Sequence, residues 1–208
     1  MTRIKICGIT SIEDAFAAVE AGAHALGFIL VRKSPRYVEP EKIRSIISSL
    51  PPLVQTVGVF VDEPMDKVVE IRDFCSLDML QFHGQEPPEY CASFRQRAIK
   101  AFRVKDESAI DEIKAYMGAV RAILLDAWSP KAHGGTGERF DWTIASEIVK
   151  SVTSPVILAG GLDVVTVREA IERVGPYGVD VSSGVELSPG KKDHKLVKEF
   201  IYRVHKAS

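Results

Sequence analysis

The chain has 208 residues, enough to bury one core without a disulfide or metal staple. Hydrophobic residues make up 46% and charged residues 26%, with 27 Lys and Arg against 28 Asp and Glu, a net charge of -1. That balance carries no basic excess pointing to a nucleic-acid or membrane partner, and no run approaches the ~20 apolar residues of a transmembrane helix.

Short aliphatic runs alternate with amphipathic stretches from end to end. Strands are predicted at 3–7, 25–30, 55–61, 77–82, 98–102, 122–127, 155–160 and 178–183. Helices are predicted at 11–21, 40–49, 64–74, 87–95, 106–117, 141–150, 163–174 and 192–205. Pro40, Pro64 and Pro87 stand at first helical turns, where a missing N–H costs nothing. Asp141 and Asp163 are N-cap residues by type, and Gly22, Gly118 and Gly175 follow helical stretches as left-handed C-caps. Pro51-Pro52 stops the second helix. No charge block or low-complexity linker divides the chain, so residues 1–208 read as one domain.

Strict alternation of strand and helix implies parallel strands with right-handed crossovers. An open doubly wound sheet and a closed barrel both meet that description. Eight units favour closure. So does the pattern within strands: Arg3, Lys5 and Cys7 oppose Ile4 and Ile6, and Asp180 and Ser182 oppose Val179 and Val181. A parallel sheet covered on both faces reads as a continuous apolar run, whereas one polar face fits a barrel interior. The expected fold is a compact α/β (β/α)8 TIM barrel, with its site at the C-terminal ends of the strands.

Residues just after each strand therefore matter most. Cys7 closes the first strand on its inward face, with Gly8 permitting close approach of a ligand. A lone cysteine is more often a packing residue, the reading given to Cys75 and Cys91. At the catalytic rim, however, a thiolate serves as base or nucleophile if a positive field stabilises it, and Lys5 lies one inward step below. Asp126 follows the apolar run of the sixth strand, where partial desolvation suits a carboxyl to acid catalysis. The loop after it holds Gly134, Gly135 and Gly137 without the Gly-Lys-Ser/Thr of a P-loop, and reads as an active-site loop. Gly160-Gly161 after the seventh strand and Ser183-Gly184 after the eighth suit convergent backbone N–H groups on a phosphate. Arg32, Lys33 and Arg36 form a basic loop at the rim, read either as a solvated charge run or as an arginine clamp for a second anionic group. Gln81 and His83 are candidate ligand contacts, with a satisfied rim histidine the alternative reading of His83. The five histidines lack metal-ligand spacing, so neither a metal nor a cofactor is expected.

The segments KICGIT, GFIL, KSPRYV, VGVFV, QFHG, LLDA, GGTGERFDW, LAGGL and DVSSGVELSPGKKDH follow one another along the chain. In that order they resemble the phosphoribosylanthranilate isomerase family of tryptophan biosynthesis. The resemblance implies an Amadori rearrangement of a small phosphosugar–anthranilate substrate. It makes Asp126 the acid that opens the ribose ring and Cys7 the base that takes the C2 proton. Arg36 would hold the anthranilate carboxylate, the two glycine loops the phosphate, and Asp180 would line the sugar pocket. A related sugar-phosphate isomerase of histidine biosynthesis uses aspartates in both roles, and Cys7 argues against it. A non-catalytic sugar-phosphate binder would need the glycine loops but neither Cys7 nor Asp126. MTRIKICGIT has no apolar stretch of signal-peptide length, and the widely spaced cysteines form no disulfide framework, so a cytoplasmic protein is expected. Monomer and homodimer are both compatible with the sequence.

Overall fold

The computed structural model describes residues 1–126 and 142–207. Among these, eight parallel strands close into a barrel: β1 (Arg3–Cys7), β2 (Ala25–Ile29), β3 (Gln55–Phe60), β4 (Met79–Phe82), β5 (Ala98–Arg103), β6 (Ala122–Asp126), β7 (Val156–Ala159) and β8 (Gly178–Val181). β1 pairs with β8 as well as with β2, with Lys5 opposite Asp180 and Cys7 opposite Gly27. The helices are α1 (Ile12–Ala21), α2 (Pro40–Ser49), α3 (Met65–Cys75), α4 (Pro88–Ala92), α5 (Ala109–Lys114), α6 (Trp142–Ser151), α7 (Val167–Val174) and α8 (His194–Ala207).

The period of two within each strand sorts the side chains. Ile4, Ile6, Leu26, Phe28, Leu80, Phe82, Val179 and Val181 face outward into the layer beneath the helices. Truncating a buried Phe in such a layer costs ~3–5 kcal/mol. The inner faces carry a smaller cluster that includes Val57, Met79, Ile99 and Leu124. They also carry three buried polar side chains, Lys5, Gln81 and Asp180.

Helix ends follow local chemistry. Ser11 caps α1 by accepting from the Asp14 N–H, and Gly22 and Gly175 end α1 and α7 in left-handed conformations. Several expectations shift. Pro64 and Pro87 are the N-caps of α3 and α4 rather than their first residues, and α5 ends at Lys114, before the Gly118 expected to cap it. α7 begins at Val167, because Asp163 accepts instead from the N–H groups of Val165 and Thr166 and caps a preceding turn. A short antiparallel hairpin, β9 (Glu186–Ser188) and β10 (Lys191–Lys192), precedes α8 where the sequence showed only a connection. Asp141 and the loop with Gly134, Gly135 and Gly137 lie outside the described residues.

A cavity of about 290 Å3 opens at the opposite, N-terminal end of the barrel, lined among others by Arg3, His24, Leu53, Gln55 and Tyr177. It is remote from the strand ends that carry Cys7 and Asp126. Among the described residues no helix is long and apolar enough to cross a membrane.

Candidate active site

Cys7 ends β1 and Asp126 ends β6, three strand steps apart round the ring. Cys7 is buried on the inner face. Its neighbour across the ladder, Gly27, provides the space. A Cβ on Gly27 would stand 2.6 Å from Cys7 Sγ and 3.1 Å from Lys5 Cε. Sequence reading passed over Gly27, although a glycine inside a strand is itself a sign of close approach.

Lys5 was expected to stabilise a Cys7 thiolate; it does pull the thiol down, but it shares its charge with Asp180 and burial outweighs it. Buried Lys5 Nζ donates to Asp180 Oδ2 at 2.7 Å and to Gln81 Oε1 at 2.8 Å. Burial alone would push the ammonium down, but the Asp180 carboxylate and Cys7 more than offset it, leaving Lys5 above its ordinary value. Asp180 therefore neutralises much of the field that Cys7 would feel. Burial pushes the Cys7 thiol above its ordinary range, against the opposing pull of Lys5 and Lys192.

Asp126 and His83 are both 22% exposed at the mouth, with His83 Nε2 3.3 Å from Asp126 Oδ2. Gln81 Nε2 stands 3.3 Å from His83 Nδ1. Gln81 and His83, expected as separate contacts, thus extend the Lys5–Asp180 pair to within 3.3 Å of Asp126 without a hydrogen bond to it. His83 Nε2, Asp180 Oδ1 and Ser182 Oγ are buried without a hydrogen-bond partner among the described residues. Buried polar atoms are rarely left so.

Arg36 reaches the β8 side, where a carboxylate waits. Arg36 Nε and Nη2 fork onto Glu186, with contacts of 2.9 Å to Oε1 and 2.6 Å to Oε2. Lys192, fully buried, holds the same Glu186 at 2.9 Å and the Ser182 carbonyl at 3.1 Å. Burial pushes Glu186 up, and the two cations more than reverse it, so its carboxyl lies below the ordinary range. Gly8, left-handed at φ 75°, makes this approach feasible: a Cβ there would meet Arg36 Cδ at 2.8 Å and Ser182 Oγ at 2.9 Å. Arg32 turns outward, its guanidinium over the Tyr37 ring. Glu186 and Lys192 were not singled out from sequence. They belong to the hairpin, whose Pro189-Gly190 turn was the available signal.

Gly160 and Gly161 follow β7 with φ of 82° and 65°, and a Cβ on Gly161 would meet nothing within 4 Å. Ser183 and Gly184 follow β8 in a single 3-10 turn. A Cβ on Gly184 would overlap the Leu162 carbonyl oxygen, so the two loops pack backbone against backbone.

Residues 4–203 match the family described as N-(5'phosphoribosyl)anthranilate (PRA) isomerase. The chain is 57% identical over 203 residues to the N-(5'-phosphoribosyl)anthranilate isomerase of Geobacter metallireducens, covering 98% of both chains. The chain belongs to this family. Among solved structures, the phosphoribosyl anthranilate isomerase of Thermotoga maritima is 43% identical with a TM-score of 0.91, covering 99% of this chain and all of its own. A phosphoribosyl anthranilate isomerase in complex with reduced 1-(o-carboxyphenylamino)-1-deoxyribulose 5-phosphate is 41% identical, with a TM-score of 0.88 over 99% of this chain and all of its own. As a phosphoribosylanthranilate isomerase family member the chain is an isomerase of tryptophan biosynthesis on a (β/α)8 barrel.

Proposed function

We propose that Cys7 and Asp126 act as base and acid in the Amadori rearrangement of N-(5'-phosphoribosyl)anthranilate to 1-(o-carboxyphenylamino)-1-deoxyribulose 5-phosphate. The observation that carries this reading is their placement on inner faces at the C-terminal ends of β1 and β6. Asp126 gives its proton to the ribose ring oxygen. The C1–O bond breaks, and the nitrogen lone pair forms the C1=N bond of an iminium. Cys7 thiolate takes the C2 proton, and the C–H electrons become the C1=C2 bond of the enolamine as the iminium is neutralised. Protonation at C1 and loss of the C2 hydroxyl proton then give the ketone.

The rest of the mouth supplies binding. The backbone of Gly160, Gly161, Ser183 and Gly184 takes the phosphate. Asp180 Oδ1 and Ser182 Oγ, both lacking partners among the described residues, face the sugar. Glu186 engages Nε and Nη2 of Arg36, and the anthranilate carboxylate is assigned to the remaining Nη1 edge. The whole chain, 1–208, works as one catalytic barrel domain in the cytoplasm. Cys7→Ala and Asp126→Asn should each lower kcat by at least ~100-fold while KM changes little, as removal of a proton-transfer group requires. A variant that keeps near-wild-type kcat removes that residue from the assignment.

A further inference from the structure

The polar side chains inside the barrel form a hydrogen-bonded line from Asp180 on β8 to His83, which ends beside Asp126 on β6, and its hydrogens can be assigned. Lys5 Nζ donates to both Asp180 Oδ2 and Gln81 Oε1. An ammonium only donates, so the Gln81 carbonyl oxygen must face Lys5 and its NH2 must face the other way. That NH2 stands 3.3 Å from His83 Nδ1. An amide NH2 also only donates, so Nδ1 accepts, and the imidazole is neutral with its hydrogen on Nε2. Nε2 has no hydrogen-bond partner among the described residues and lies 3.3 Å from Asp126 Oδ2.

We propose that His83 is a positioning residue for the isomerisation: held as the Nε2–H tautomer through Gln81 and Lys5, it stands unbonded beside Asp126 in the resting site and donates that hydrogen to the carboxylate formed when Asp126 protonates the ring oxygen. This inference rests on the assignment of Asp126 as the acid. The step balances without His83 losing a proton. The Asp126 O–H bond breaks, the ring oxygen gains the hydrogen, and the electron pair left on Oδ2 accepts from Nε2–H. Neutrality is essential to the arrangement. An imidazolium would place a full positive charge beside Asp126 and hold it ionised before the substrate arrives. A neutral donor strengthens its bond chiefly as negative charge develops, which is when it aids the reaction. The line also explains buried Lys5, Gln81 and Asp180 in the barrel interior: each orients the next.

The test combines spectroscopy and kinetics on the full chain. The 15N shifts of the wild-type His83 ring should report Nε2–H with a bare Nδ1 at neutral pH. Gln81→Leu, which removes the donor to Nδ1, should mix the tautomers. His83→Ala should lower kcat by about 10–100-fold with KM within about threefold, the range of a lost transition-state donor. His83→Asn, which keeps an N–H donor, should recover part of that loss. A wild-type ring with its hydrogen on Nδ1, or doubly protonated, overturns the inference, as does His83→Ala with kcat within about twofold of wild type. Asp126→Asn run in parallel separates the two failures. If it is inactive while His83→Ala is not, only the His83 inference falls; if it retains wild-type kcat, the acid assignment falls first.

Discussion

Cys7 illustrates how far residue type and period carry an argument. That it points into the barrel follows from the alternation of Arg3, Lys5 and Cys7 against Ile4 and Ile6. The sign of its pKa shift does not follow, because it depends on Asp180, which lies 175 residues from Lys5 in the chain. With Lys5 paired to Asp180, burial wins and the thiol is pushed up. Alkylation requires the thiolate, so the rate at Cys7 should keep rising with pH, without levelling off below about pH 9, the ordinary upper range for a thiol. Peptide-resolved mass spectrometry after timed iodoacetamide treatment measures this for each cysteine. Cys75 and Cys91, pushed up to about 11 by burial, should likewise show no plateau below about pH 9. A plateau at Cys7 below pH 8 would show that the cations prevail over burial.

The barrel strands and the longer helices were legible in the sequence because each is a periodic segment bounded by Pro, Gly or a capping residue. The hairpin of β9 and β10 was not, because strands of three and two residues are too short to show alternation. Yet this element gives Arg36 its direction, through Glu186. The Glu186 carboxyl is depressed in the fold, so its contribution is fully present above its unfolded value of about 4.3 and fades as pH falls through the folded value. Glu186→Gln should therefore cost roughly 1–3 kcal/mol at neutral pH, the scale of a hydrogen bond to a charged group. Urea unfolding at pH 7 and at pH 3 should show the gap to wild type narrowing at the lower pH. A gap that is unchanged or wider at pH 3 would place the stabilisation elsewhere.

At the scale of the whole molecule, regular alternation of eight strands and eight helices was enough to read a closed barrel. What sequence did not show is how its two ends are tied. Asp14, buried on α1, accepts from the Lys192 N–H at 3.1 Å and bonds His194 Nε2 at 2.7 Å, so the first helix holds the start of the last. Asp14→Ala leaves a buried N–H unsatisfied and should cost roughly 1–3 kcal/mol, lowering the denaturant midpoint with little change in m. A midpoint equal to wild type would show that helix packing alone closes the ends.

The same global arrangement decides where the substrate lies. The proposed phosphate loops after β7 and β8, base on β1 and acid on β6 together define one orientation, with the reacting carbons between Cys7 and Asp126. A crystal structure of this protein with reduced 1-(o-carboxyphenylamino)-1-deoxyribulose 5-phosphate measures that directly. The phosphate should rest on the backbone of Gly160, Gly161, Ser183 and Gly184, the carboxylate on Arg36, and C2 about 3–3.5 Å from Cys7 Sγ, the separation of a reacting pair. A ligand bound in the mouth with C2 beyond reach of Cys7, or with its phosphate on Arg36 and its carboxylate at the glycine loops, would contradict the assignment of base, acid and anion sites together.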